Sequence, residues 1–258
     1  MKRTRLFTTA FSEADAARRA EFAECLLRNL ACPEIHEVCV LVEGSVEVPR
    51  SEKLLQRRTD KRPCYADYFS WIAEVAGPDD LSIIANADIY FDNRIGAISV
   101  WGLPSKCVLA LSRWDVTADG NAVLNDRNDS QDAWVFRGRP MSMDAEFPIG
   151  VPRCDNRFAK ELELAGYQVL NPSFSVRAYH LHAGTRGEYQ TENKTGFVEG
   201  PYGYVWPHNL LPLPRLLWHN SRNRDFQLGW KLDRRYWSRT LKFHWAGRLL
   251  RVLSGGHP

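Results

Sequence analysis

Strands and helices alternate along the first 200 residues, and this order predicts an α/β domain on a mostly parallel central sheet flanked by helices. Three observations carry the prediction. Two short runs, Glu37 to Val42 (EVCVLV) and Leu81 to Ala85 (LSIIA), are apolar nearly throughout, as strands buried on both faces are. Stretches with apolar residues three or four apart separate such runs. The second run breaks at Asn86-Ala87-Asp88, so polar side chains emerge where a strand ends, and carboxyl ends of strands are where open α/β sheets bind ligands.

In chain order, Leu6 to Ala10 is a first short strand. Ser12 opens a helix with Asp15 three residues on, a near capping box, and Ala16, Ala20, Ala23, Leu27 and Leu30 form its apolar face. The 37–42 run is too uniformly apolar for a sheet edge. RRTDKR (57–62) reads as a basic loop. Tyr65, Phe69, Ile72 and Ala76 mark a second helix, stopped by Gly77-Pro78. The 81–88 strand follows, then strands at Cys107 to Leu111 and Ala133 to Phe136. Gly150 and Pro152 make a loop, and Asp155 and Asn156 stand where a helix cap is wanted. Phe158, Leu162 and Ala165 give that helix its buried face, Gly166 ends it, and Tyr167 to Leu170 starts a strand. In SVRAYHLHAGTRGEY (175–189), His180 and His182 alternate on a strand and face the same way.

The 258 residues fit one generous α/β domain with an appendage. A hydrophobic content of 44% and a charged content of 25% are ordinary for a folded protein. No run approaches the ~18 apolar residues of a membrane span, and the basic start MKRTRLFTTAFSEAD has no apolar signal segment. Six cysteines without a CxxC pair read as reduced thiols of a cytoplasmic protein. The charge is divided: residues 201–258 hold ten basic and two acidic side chains, whereas residues 1–200 hold 24 basic and 29 acidic ones. The same tail has five of the nine tryptophans, and Pro201, Pro207, Pro212 and Pro214 mark its entrance. The sequence therefore divides into a catalytic domain, 1–200, and a basic Trp-rich C-terminal extension, 201–258. The extension either lies on an anionic membrane surface, on the inner face of the membrane, or packs its tryptophans on the core. No nucleic-acid motif accompanies its charge.

Three segments carry candidate chemistry. Asn86 and Asp88 share a face of the chain, and Asp88 can give a divalent cation one carboxylate; alone, the pair reads as a surface turn. Asp155 in a loop at a helix start is stabilised as an anion and can accept a proton from a hydroxyl; alone, it reads as a plain cap. His180 or His182 can add an imidazole to a mixed nitrogen and oxygen site; alone, either reads as a structural histidine. Between them, Trp114 or Trp134 can stack on a sugar ring or equally belong to the core, Asp115 or Asp132 can bond sugar hydroxyls, and Asp132 opens a buried strand as the rival of Asp155. Trp134, inside an apolar strand, is read as core.

In this order the pieces resemble nucleotide-sugar glycosyltransferases of the GT-A fold, whose layout is similar to that of inverting galactosyltransferases. The residues that carry the resemblance are Asn86-x-Asp88 in place of Asp-x-Asp, GVPRCDN (150–156) in place of a loop with an acidic pair, AGYQV (165–169), and His182 or His180. It covers residues 5–190 as an order of elements. It implies a GT-A-like (Rossmann-like) fold and transfer of a sugar from a nucleotide-diphosphate donor to a glycan or lipid-linked acceptor in cell-surface polysaccharide synthesis. It also implies Mn²⁺ or Mg²⁺ on Asp88 and a histidine, with Asp155 as general base and inversion favoured. Thr8, Thr9 and Glu43 would line the nucleotide, Arg58 or Arg62 would meet its diphosphate, and Trp114, Asp115 and Asn156 would meet sugar. Asn86 weakens the metal motif, and Cys154 leaves Asp155 the only acid of its loop. Rival readings are a sugar-nucleotide-forming nucleotidyltransferase, whose glycine-rich basic signature FTTAFSEADAARR lacks; a metal-dependent hydrolase; and a degenerate nucleotide-sugar-binding protein.

Overall fold

The computed structural model describes residues 2–117, 119–181 and 197–209. Its elements run β1 (Thr4–Ala10), α1 (Ala16–Ala31), β2 (Glu37–Glu43), β3 (Leu54–Thr59), α2 (Tyr65–Val75), β4 (Leu81–Ala85), β5 (Ile89–Tyr90), a 3-10 turn (Asn93–Gly96), α3 (Ala97–Trp101), β6 (Cys107–Leu111), β7 (Arg113–Val116), β8 (Ala122–Leu124), β9 (Ala133–Arg137), α4 (Cys154–Leu164), β10 (Gln168–Leu170) and β11 (Ala178–Leu181). A seven-stranded sheet has the order β10-β6-β9-β4-β1-β2-β3, and a four-stranded sheet the order β5-β11-β7-β8. Within the large sheet β1, β2, β3 and β4 are parallel neighbours, as are β6 and β10. Only β9, between β4 and β6, runs against them. The mixed α/β, mostly parallel architecture expected from the alternation is present.

Each face of the large sheet carries one apolar layer. Leu6, Val38, Val40, Ile83, Leu109 and Val135 belong to one, with Ile89, Phe91, Ile95 and Ile98. Phe7, Leu41, Ile84, Trp134 and Phe136 belong to the other, under α2 and α4. Adjacent residues of β1, β4 and β9 thus enter opposite layers, which is why these strands read as uninterrupted apolar runs. Trp134 is core, edge-on to Phe158 at 4.8 Å between centroids.

Three expectations are corrected. The first helix is capped by Asp15, whose carboxylate accepts from the Ala17 and Arg18 amides, so it starts three residues beyond Ser12. Its inward face is not the alanine stripe: Ala16, Ala20, Ala23 and Leu27 are exposed, Leu27 by 50%, while Glu21, Cys25 and Asn29 are buried. Asn29 decides the orientation. Its amide donates to the Ile89 carbonyl at 2.8 Å and accepts from the Phe91 amide at 3.0 Å, closing the backbone of β5. Second, RRTDKR is only partly loop: Arg57, Arg58 and Thr59 end the edge strand β3, where Arg57 bonds Glu74 and lies 4.4 Å over the Trp71 ring. Third, Asp155 is not a cap but lies inside the first turn of α4; the capping position is held by Arg153, in the left-handed region at φ 69°. Gly166, at φ 91°, ends α4 as expected.

Residues 201–209, the first of the basic extension, pack on the domain. Val205 and His208 are buried, and the His208 amide donates to the Asn171 carbonyl at 2.8 Å. The remaining extension, with Trp218, Trp230, Trp237 and Trp245, lies outside the described residues, as does His182. Among the described residues no helix is long and apolar enough to cross a membrane, and none of the six cysteines forms a disulfide.

Candidate functional site

The two sheets meet at the carboxyl edge of the large one, and the topology brings the candidate residues there. Parallel register aligns the ends of β1, β2 and β3, with Ala10 beside Val42 and Glu43 beside Thr59. β4 ends next to them at Ala85, so Asn86 and Asp88 follow at the same edge. Because β9 runs antiparallel, its beginning rather than its end lies there: Ala133 pairs with Ala85, which puts Asp132 beside Asn86. The ladder continues one step, with the Asn86 amide bonded to the Asp132 carbonyl at 3.1 Å, and the Asn86 side chain donates to Asp132 Oδ1 at 3.0 Å.

The small sheet supplies the rest. β11 lies between β5 and β7, pairing His180 with Ile89 on one side and with Asp115 on the other. His180 thereby stands between two carboxylates: Nδ1 is 2.9 Å from Asp115 Oδ1 and Nε2 is 3.3 Å from Asp88 Oδ2. Arg113, one residue past the bend from β6 into β7, joins Asp115 (2.8 Å) to Asp132 (3.7 Å). From α1, Arg18 reaches the same Asp88 oxygen at 3.4 Å and Glu21 at 3.6 Å. A continuous charged chain thus runs from Glu21 through Arg18, Asp88, His180, Asp115 and Arg113 to Asp132.

Asp155 closes the arrangement from α4. Its Oδ2 accepts from the Gln131 backbone amide at 3.1 Å, and its Oδ1 from the Asn156 amide at 2.9 Å. Burial and the neighbouring Asp132 charge nevertheless push its pKa up to about 7, against those amides. His180 shifts upward for a different reason: burial disfavours its cation, but hydrogen bonds to Asp115 and Asp88 outweigh that. Burial likewise opposes the Asp115 carboxylate, and His180 and Arg113 more than offset it and hold its pKa low.

The structure brings Asn86, Asp88, Asp115, Asp132, Asp155 and His180 together. Thr8, Thr9, Glu43 and Arg58 lie at or near the carboxyl ends of the adjoining strands. Thr8 is buried there with no hydrogen-bond partner on its hydroxyl among the described residues, whereas the Thr9 hydroxyl donates to the Leu41 carbonyl. The Arg58 side chain is turned to the Gly44 carbonyl at 3.0 Å. Arg62 lies 5.9 Å over the Phe11 ring, and Phe11 packs on Phe22, under Arg18. Two residues expected on sugar are buried. Trp114 is 7% exposed, bonded through Nε1 to the Ser173 carbonyl, with Arg177 4.0 Å over one ring face. Asn156 is buried; its backbone carbonyl accepts from the Gly203 amide at 2.8 Å, and its side-chain Nδ2 has no hydrogen-bond partner among the described residues. Asp115, expected on sugar hydroxyls, is engaged by His180 and Arg113.

Sequence reasoning missed Arg18, Glu21 and Arg113. The only trace of Arg18 and Glu21 is their i, i+3 spacing on the helix face that holds Cys25 and Asn29. Arg113 left no signal, because its role depends on the bend between sheets.

Asp88 and His180 fit two positions of a divalent cation. Adjacent ligands of an octahedral Mg²⁺ stand about 3 Å apart, near the 3.3 Å found between Asp88 Oδ2 and His180 Nε2. Asp115 holds the opposite ring nitrogen, as carboxylates do for metal-binding histidines. Among the described residues no three metal-binding side chains form a cluster, so further ligands would come from water and the bound anion.

Neither a protein-family model nor a curated protein matches the sequence. The mixed α/β fold is weakly similar to several solved structures. One is a mannosyltransferase from Pyrobaculum calidifontis in complex with GDP-Man and Mn²⁺ (13% identity, TM-score 0.46, covering 72% of this chain and 58% of that one). A second is TarS from S. aureus in complex with UDP-GlcNAc (10% identity, TM-score 0.43, covering 71% and 60%). A third is the 2-C-methyl-D-erythritol 4-phosphate cytidylyltransferase of Francisella tularensis (11% identity, TM-score 0.35, covering 53% and 73%). The chain spans less than two thirds of the length of the first two.

Proposed function

We propose that this chain is a glycosyltransferase that moves a sugar from a nucleoside-diphosphate donor to a hydroxyl of a glycan or lipid-linked acceptor, in the synthesis of cell-surface polysaccharide. One observation carries the reading: a cation-accepting pair, Asp88 and His180, and a carboxylate pair, Asp132 and Asp155, converge from four separate segments on one sheet edge. Transfer of a glycosyl group needs both functions, one to neutralise a leaving diphosphate and one to take a proton from the attacking hydroxyl.

Thr8, Thr9, Glu43 and Arg62 would border the nucleoside diphosphate, with Arg18 giving it a charge-assisted hydrogen bond. Asp88 and His180 would hold Mn²⁺ or Mg²⁺, which supplies charge neutralisation for the departing diphosphate. Asp115 and Arg113 hold the imidazole in place. Asp155, at a pKa of about 7, is poised to accept a proton near neutral pH. The acceptor O–H proton passes to Asp155, the oxygen bonds to the anomeric carbon from the face opposite the leaving group, and the anomeric C–O bond to diphosphate breaks with inversion. Asp132 is the second carboxylate within reach, and its charge keeps Asp155 basic.

Titration calorimetry with UDP and GDP, with and without Mn²⁺, tests this reading. Metal-dependent binding of one nucleoside diphosphate is the expected result, and absence of binding to either overturns it. A nucleotidyltransferase would instead bind a nucleoside triphosphate and release pyrophosphate. A binding-only protein would hold the donor without turnover.

A further inference from the structure

Residues 202–206 form an extended strap whose side chains alternate. Gly203, Val205 and Pro207 are buried, whereas Tyr204 and Trp206 point outward, 55% and 38% exposed. The inner face is fixed at many points. The Gly203 amide donates to the Asn156 carbonyl at 2.8 Å and the Val205 amide to the Asn128 carbonyl at 2.9 Å. The Val205 carbonyl accepts from Asn171 Nδ2 at 3.0 Å and from Gln131 Nε2 at 3.4 Å. Gly203 must be glycine at this approach, since a Cβ would come within 2.9 Å of the Lys160 amide nitrogen. Next along the chain, His208 Nε2 accepts from the Asn171 amide at 3.0 Å while Nδ1 meets the Asn209 carbonyl at 2.9 Å, which anchors the strap end.

The strap is tied to the carboxylate pair by Asn156, whose amide bonds Asp155 and whose carbonyl takes the Gly203 amide, and by Gln131. Gln131 bonds Asp155 through its backbone amide and Val205 through its side chain, and it precedes Asp132. On the side of the α4 start, Arg153 takes a left-handed backbone conformation that sets its guanidinium 5.4 Å from the Tyr202 ring and 4.8 Å from the Phe197 ring. Non-glycine residues in that conformation concentrate where function needs them. Two large rings held outward on a frame whose backbone is hydrogen-bonded to the neighbours of two acids, Gln131 and Asn156, match the chemistry of carbohydrate, whose C–H faces stack on aromatic rings while its hydroxyls bond carboxylates.

We infer that Tyr204 and Trp206 form the platform on which a sugar ring of the acceptor stacks, so that the acceptor is a carbohydrate presented across the strap toward Asp155. This deepens, and rests on, the transferase reading of the same site. A glycan array probed with the labelled full-length protein, in the presence of UDP or GDP with Mn²⁺, tests it. Binding to a subset of glycans is expected, weakened roughly three- to tenfold by Tyr204→Ala or Trp206→Ala and further by both. Trp206→Phe, which keeps a ring, should restore part of it. Nucleotide affinity and melting temperature should stay at the parent values. No glycan bound by the parent, or binding unmoved in the double variant, overturns the inference. So does a pattern in which the variants lose sedimentation with phosphatidylglycerol and phosphatidylcholine vesicles instead, which would make the strap a lipid-facing surface. Glycan binding that depends on the rings in a protein that binds neither nucleotide would preserve the platform and sink the transferase reading alone.

Discussion

The two ends of the large sheet both carry buried or half-buried charge, and they treat it in opposite ways. At the amino edge, Arg5 on β1 bonds Asp80 at 2.6 Å and Glu37 at 2.5 Å, and Asp80 also accepts from the Arg3 and Gly77 amides. Burial opposes the Asp80 carboxylate, and those amides and Arg5 more than compensate, so its pKa is lowered. At the carboxyl edge Asp115 keeps contacts of 2.8 and 2.9 Å, but those to Asp88 and Asp132 lengthen to 3.3, 3.4 and 3.7 Å, and Asp155 is raised to about 7. Short, saturated contacts serve the fold. Looser contacts and a carboxylate held near its titration point leave capacity for a ligand and a proton.

The strongest way to sharpen this contrast is Asp155→Asn. Transfer to acceptor should fall by roughly 10²- to 10⁴-fold, measured as sugar release from donor, with donor affinity retained. The same variant should be more stable than the parent at pH 8, by roughly 1–4 kcal/mol, because a carboxylate whose folded pKa lies near 7 loses its proton there at the expense of the fold. The sign follows from linkage: between about pH 4 and pH 7 the unfolded chain releases this proton and the folded chain keeps it, so the Asp155 contribution is present in acid and lost as pH rises. Asp80 tilts the curve the other way, its contribution present above pH ~4 and lost as pH falls. A parent and variant with identical melting curves from pH 5 to 8 would contradict the Asp155 assignment.

Asp88→Ala should weaken metal-dependent nucleotide binding by roughly 100-fold, by calorimetry, since the site keeps only an imidazole. Unchanged affinity would remove Asp88 from the site. The counterpart at the amino edge, Asp80→Ala, should cost about 2–4 kcal/mol in denaturant melts by leaving Arg5 half paired, yet leave nucleotide affinity as it was. A drop in affinity there would break the division between the two edges. Smallest is Arg18→Ala, expected to lower nucleotide affinity by about tenfold or less, as one charge-assisted contact does; no change would confine Arg18 to holding Asp88.

Much of this was legible beforehand. Apolar runs located β2, β4, β6 and β9, because a strand buried on both faces admits nothing else. The break at Asn86-Ala87-Asp88 marked the site, and period-two spacing put His180 on a strand. Other features were not legible. The antiparallel insertion of β9 brings Asp132 to Asn86, and the bend after Leu111 carries Arg113 and Asp115 into a second sheet. Periodicity reports which residues share a face but not what that face meets. For α1 the apolar stripe therefore pointed the wrong way, since two Asn29 hydrogen bonds to β5 turned the polar face inward. Trp114 shows the same limit: its sequence neighbours leave core and sugar platform equally open, and only the fold shows it buried with Arg177 lying over it.

By itself, the sequence determined the buried strands, where α2 and α4 stop, and the residue types that could do chemistry, because local pattern and turn chemistry act over a few residues. Only the tertiary structure decided which carboxylate meets which cation, which aspartate is lifted to about 7, and which rings stay outward. Those outcomes depend on burial and on charges contributed by segments far apart in the chain, and no local pattern encodes such distances.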